Sequence, residues 1–217
     1  MNETQLSIQG YHGEAVPHVF YQQEAETDAL AVLFPGYGYH ADLPVLYYPG
    51  KIVRSRGMDL LRMDTAYSRR AAFRQLTPDK QEAWYDEDAS AALDAALEQR
   101  PYRRLVLIGK SLGTLAMAGL LSRHSHLPAS TWIWLTPVLR DQRLVERIER
   151  YKPRSLFAIG SADQYYDEAV LNRLVDATQG ELVIIPGADH SLEVGGDALQ
   201  SMQALAQVIT GIEAFIA

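Results

Sequence analysis

The 217 residues suffice for one α/β domain with a sizeable core and leave little room for a second. Hydrophobic residues make up 47% and charged residues 22%, and the formal net charge of −7 gives no basic footprint for nucleic acid or an anionic membrane. The absence of cysteine excludes disulfides, thiolate metal sites and cysteine nucleophiles.

No run approaches the roughly 20 apolar residues of a membrane span. The polar start, Met1 to Gln5, has no apolar stretch behind it, so no signal peptide is visible. The expectation is a cytoplasmic protein forming a single domain over 1–217, without repeats or long linkers.

In chain order, two short alternating runs at 5–9 and 18–22 flank a turn-rich Gly10-Tyr11-His12-Gly13 and predict an antiparallel pair. From Ala29 the pattern changes. Short apolar runs at 29–34, 58–63, 105–108, 132–135, 156–159 and 182–185 alternate with longer helical stretches. Several of these runs are apolar at successive positions, as strands buried on both faces should be. Helices are predicted over 78–99 (Thr77 as N-cap, Pro78 at the first position), 111–123, 140–151 and 196–216, with Asp167 and Glu168 starting another. Alternating strand and helix implies a mostly parallel sheet with helices on both faces. Ligands in such sheets sit at the carboxyl ends of the strands, so those ends carry the search for chemistry.

After the run at 105–108 comes Gly109-Lys110-Ser111-Leu112-Gly113, followed at once by a small-residue helix. A serine on a tight strand-to-helix turn projects its hydroxyl at the helix N-terminus, and flanking glycines let the backbone pass close to its neighbours. The pentapeptide also arises by chance, but a buried strand before it and a helix after it make coincidence much rarer. A phosphate loop would need glycine at position 104, which is arginine here.

A serine nucleophile needs a base and an orienting carboxylate. Of six histidines, His12, His18, His124 and His126 read as solvated or structural, and His40 as a pocket-lining residue. His190 follows the last strand and is the expected base. Asp163, after the strand at 156–159, is the expected acid, with Asp141 as its competitor; Asp189 is too close in sequence to orient the neighbouring ring. The oxyanion donors are expected to be the N–H groups of Leu112 and Tyr37, the latter in the glycine-containing loop Pro35-Gly36-Tyr37-Gly38-Tyr39-His40. Gly36, Gly38, Tyr39 and Lys110 are the expected substrate contacts.

The order Ser111, Asp163, His190, set on these loops, resembles the α/β-hydrolase superfamily over nearly the whole chain. The run Gly187-Ala188-Asp189-His190-Ser191-Leu192 is similar to loops of its small members related to dienelactone hydrolases and short-chain carboxylesterases. The resemblance implies a three-layer α/β-hydrolase fold with an eight-stranded, mostly parallel sheet in the order 1-2-4-3-5-6-7-8, only the second strand being antiparallel. Two departures stand out: Pro35-Gly36 replaces the His-Gly that often opens the oxyanion loop, and Lys110 precedes the nucleophile.

About twenty residues separate the strands ending at 135 and starting at 156, too few for a cap domain. The site should therefore be open, roofed by 37–51 and 65–77, whose Tyr39, Tyr47, Tyr48, Tyr67 and Phe73 either form an apolar acyl pocket or pack as ordinary surface loops. Arg69, Arg70 and Lys110 either bind an anionic group or lie in solvent. The expected activity is hydrolysis of a small carboxylic ester or thioester through an acyl-enzyme on Ser111. An acyltransferase, a peptidase or a non-catalytic interaction protein of the same fold are the rivals. The expected partner is a small acyl substrate, with no metal or organic cofactor; a homodimer is compatible with the sequence.

Overall fold

The computed structural model describes residues 2–124, 127 and 129–217, so His126 lies outside the described residues. Its eight strands are β1 (Asn2–Thr4), β2 (His18–Gln22), β3 (Ala29–Phe34), β4 (Asp59–Met63), β5 (Arg104–Lys110), β6 (Ala129–Leu135), β7 (Arg154–Gly160) and β8 (Glu181–Ile185). They form one sheet in the order β1-β2-β4-β3-β5-β6-β7-β8. Pairing is antiparallel between β2 and both of its neighbours and parallel elsewhere, as the resemblance implies.

Burial explains the central strands. All six residues of β3 are buried, and they divide by alternation. Leu30, Val32 and Phe34 enter one core, while Ala29, Ala31 and Leu33 enter the other. The first core is closed by α3 (Pro78–Leu97), α4 (Leu112–Arg123), α5 (Gln142–Tyr151) and α6 (Glu168–Thr178), preceded by the short α2 (Ala71–Arg74). The second is closed by α1 (Pro44–Ser55) and α7 (Ala198–Phe215). Three layers result.

Two local expectations are corrected. The first strand is Asn2–Thr4 rather than 5–9, its ladder with β2 ending at the pair Thr4 and Phe20. The Leu6 N–H turns instead to the His18 Nε2, 3.0 Å away. The roof segment 37–51 is not a loop throughout, since its second half enters α1. That helix holds Pro49 and Gly50 in its interior, but Val45, Leu46, Pro49, Gly50 and Val53 form a buried stripe that outweighs their poor propensity. Thr77 does occupy the N-cap position of α3, without a capping side-chain bond, and Pro78 at the first position and Asp79 in the first turn favour the start.

Between the end of β6 and the start of α5 lie only residues 136–141, so no cap covers the strand ends. Among the described residues no helix is long and apolar enough to cross a membrane.

Candidate active site

The turn from β5 into α4 sets the centre of the site. Ser111 takes φ 52° and ψ −117°, a backbone conformation that a non-glycine residue holds only under the constraint of its surroundings. Its N–H donates to the Leu135 carbonyl at 3.0 Å, which ties the turn to the tip of β6. Gly113 is forced by contact: a Cβ there would lie 2.1 Å from the Phe34 carbonyl oxygen. Gly109 faces the same limit, with Met117 Sδ 2.4 Å and the Gly113 oxygen 2.7 Å from such a carbon.

His190 hangs from the loop after β8. Its Nε2 is 2.8 Å from Ser111 Oγ, and its Nδ1 is 2.8 Å from Asp163 Oδ2. Asp163 is 5% exposed, and its other oxygen accepts the Tyr165 N–H at 2.9 Å. The two loops are laced together by the backbone: Ser161 N–H donates to Ile185, and Ala162 N–H to Ala188. Gly160 permits that approach, because a Cβ would sit 2.0 Å from the Ala188 oxygen. The Tyr165 ring meets the imidazole edge-on at 5.2 Å. The structure therefore brings Ser111, His190 and Asp163 into one hydrogen-bonded chain.

Asp141 is elsewhere. It caps α5, accepting the Leu144 N–H at 3.1 Å. Asp189 Oδ1 accepts from the Ser191 and Glu193 N–H groups and shapes its own turn. Two of the other described histidines also have local roles. His18 bonds Val16 and Leu6, and His124 meets Ser90 Oγ at 2.9 Å.

Leu112 opens α4, so its N–H has no acceptor within the helix. The glycine loop after β3 runs beside it: a Cβ on Gly36 would lie 3.4 Å from Ser111 Cβ. The Tyr37 carbonyl accepts the Ser68 N–H at 3.1 Å, which anchors this loop to the turn after β4. Gly38 is exposed, and Tyr39 is half-buried with its hydroxyl accepting the Val45 N–H at 3.0 Å. Burial raises the Tyr39 phenol above its ordinary range.

The aromatics of the roof do not form one wall. Tyr67 and Phe73 are in the core beside Trp84, while Tyr47 and Tyr48 face outward from α1. Arg70 stacks over Trp84 and pairs with Glu14, and Arg69 is exposed. Lys110 departs most from expectation. It is 2% exposed and turned inward, donating from Nζ to the His190 carbonyl at 2.9 Å and to Thr136 Oγ1 at 3.2 Å. A substrate anion would have to displace these partners. Sequence reasoning missed Thr136 and Tyr165, neither of which carries a motif. Among the described residues no group of three or more His, Asp or Glu side chains is arranged to hold a metal.

A family model described as an α/β-hydrolase domain matches residues 27–217. The chain belongs to the α/β-hydrolase family. No curated protein matches the sequence, whereas many solved structures match the fold. A putative α/β hydrolase from Agrobacterium tumefaciens superposes with a TM-score of 0.75 at 18% identity, over 99% of this chain and 94% of that one. An α/β serine hydrolase without a lid from Xanthomonas campestris gives 0.70 at 18% identity, over 99% and 94%. Est1E from Butyrivibrio proteoclasticus, solved with ferulic acid bound, gives 0.71 at 13% identity, over 98% of both chains.

Proposed function

We propose that this protein is a serine hydrolase that cleaves a small carboxylic ester or thioester through an acyl-enzyme on Ser111. The observation that carries the proposal is the chain Ser111 Oγ–His190 Nε2, His190 Nδ1–Asp163 Oδ2, each link 2.8 Å, starting from a serine at positive φ. A buried carboxylate on Nδ1 leaves Nε2 as the acceptor facing the hydroxyl, the tautomer that a general base requires.

The chemistry then runs in two halves. Ser111 Oγ attacks the carbonyl carbon while His190 Nε2 takes its proton, and Asp163 stabilises the imidazolium. The Leu112 and Tyr37 N–H groups receive the oxyanion. Collapse breaks the bond to the leaving alkoxide or thiolate, which takes the proton from His190 and departs. Water repeats the sequence on the acyl-serine, with His190 as base, and releases the acid. Neighbours that include an esterase from Pyrococcus furiosus support an ester over other acyl donors.

Replacing Ser111 by Ala should lower kcat for p-nitrophenyl acetate by about 10⁴–10⁶-fold, because the triad acts as a unit. A fluorophosphonate should label wild type at Ser111 and leave the variant unlabelled. Equal turnover by the two proteins would sink the assignment.

A further inference from the structure

The lysine before the nucleophile is a charged side chain at the strand tips that the proposed reaction does not use. Its burial is unusual, because an ammonium gives up strong hydration when it leaves water. The fold surrounds it with partners from three segments. Lys110 belongs to the end of β5. Thr136 Oγ1, 3.2 Å from Nζ, belongs to the residue just past β6. The His190 carbonyl, 2.9 Å away, belongs to the loop after β8. The Tyr39 ring, with its centroid 4.6 Å from Nζ, belongs to the glycine loop after β3.

Thr136 itself is held at φ 44°, with its N–H donating to the Ala158 carbonyl at 2.7 Å. A threonine in the left-handed region is strained, and here that conformation accompanies a hydroxyl aimed at the ammonium. The carbonyl that Lys110 grips is that of His190, the residue whose ring meets Ser111. The imidazole is thus fixed through Asp163 on one side and through its own backbone on the other.

We infer that Lys110 is a positioning residue: its ammonium clamps the His190 loop and the Tyr39 loop to the strand that ends in the nucleophile. The inference rests on the hydrolase reading above. Loss of the clamp lets the His190 backbone drift from Ser111 without removing any reacting atom. A displacement on the order of 1 Å at a catalytic base costs up to about 100-fold in rate. Substrate binding depends on other groups, so the loss belongs in kcat rather than in KM.

Burial pushes the Lys110 ammonium down to about 8, while the carboxylates of Asp163 and Asp189 hold it up. The groups facing it are therefore Asp163, Asp189, the Tyr39 phenol and His190, with Glu193 acting on Tyr39. As pH rises through about 8 the charge-assisted bond to the His190 carbonyl weakens to a neutral one.

The test compares wild type with Lys110→Met, using p-nitrophenyl acetate turnover, fluorophosphonate labelling and thermal melting. Lys110→Met should fold with an unchanged or higher Tm, lose about 10- to 100-fold in kcat, and keep KM within about twofold. The alkaline shoulder near pH 8 in the wild-type kcat profile should vanish in the variant. Lys80→Met, at an exposed lysine, should match wild type throughout. Wild-type kcat and pH profile in Lys110→Met overturn the inference while leaving labelled Ser111, and the hydrolase reading, intact. A wild type that does not label overturns both.

Should Lys110→Met fail to fold, the intact protein still decides. The chain has four lysines, and Lys51, Lys80 and Lys152 are exposed, so one 13Cε resonance should titrate near pH 8 apart from three others. The Ser191 amide, next to the gripped carbonyl, should shift with the same midpoint. Four lysines titrating together, or a Ser191 amide indifferent to that step, would remove Lys110 from its role.

Discussion

At the scale of single residues, the carboxylate behind the histidine is where geometry separates two sequence-equivalent candidates. Asp163 and Asp141 both follow parallel strands, and spacing alone leaves the pair open. Asp163 reaches the ring at 2.8 Å, while Asp141 spends Oδ1 on the Leu144 N–H. Asp163→Asn keeps the shape but loses the charge and the tautomer control, so kcat should fall about 10²–10⁴-fold. Asp141→Ala removes a helix cap, which costs about 1 kcal/mol of stability, and should leave kcat at the wild-type level. Parallel kinetics and melts of the two variants check both statements, and the reverse pattern would exchange the roles. Ser111, Asp163 and His190 were legible because each follows a parallel strand, Ser111 at once and the other two within a short loop, where topology converges on one edge of the sheet. Lys110 was legible as a position and not as a role. Whether a cation points out or in depends on what the neighbouring tips offer it, and Thr136 and the His190 carbonyl come from 26 and 80 residues away.

At the scale of elements, packing overrode local preference where the two disagreed. The central strands were readable because burial on both faces leaves continuous apolar runs. Helix α1 was not, because Pro49 and Gly50 speak against a helix and only the tertiary stripe through Val45 and Val53 speaks for it. The α3–α4 contact shows the same logic with charge. Gly119 on α4 lets Asp86 of α3 come so close that a Cβ would lie 2.2 Å from its Oδ1. That oxygen is buried with no hydrogen-bond partner, and Arg123 and Arg147 approach the other only to 3.9 Å. Burial raises the Asp86 carboxyl from 3.8 to about 6 against the pull of both arginines. Between about 4 and 6 the folded chain therefore keeps a proton that the unfolded chain has lost. Stability from this group is full below about 4 and is lost as pH rises through about 6. Asp86→Asn should raise stability by about 1–3 kcal/mol at pH 7 and change it little at pH 4. Urea melts at the two pH values test this, and a destabilised variant at pH 7 would mean that the arginine pairs outweigh the desolvation.

At the scale of the whole molecule, the absence of a cap governs what substrate the site can enclose. Only 136–141 join β6 to α5, and of the roof aromatics Tyr67 and Phe73 have gone into the core, Tyr47 and Tyr48 out to solvent and Tyr39 over Lys110. Two small cavities lie beside the glycine loop after β3. One lies among Pro35, Thr65, Tyr67, Leu112 and Gly113, the other under the loop from Pro35 to Ala41, and each holds about 10 Å³. That is close to the room a single water needs. An acetyl methyl fits such a space, whereas a longer chain must lie along the open surface. A fully buried methylene contributes about 0.8 kcal/mol, so an enclosed acyl channel would raise kcat/KM about fourfold for each added carbon. Here the p-nitrophenyl series from acetate to octanoate should be flat or falling. A steady fourfold climb per methylene would reveal a channel that opens when substrate binds, and the site would then have to be redrawn around movement of the Tyr37 loop. A flat series leaves discrimination to the leaving-group side of the uncapped site.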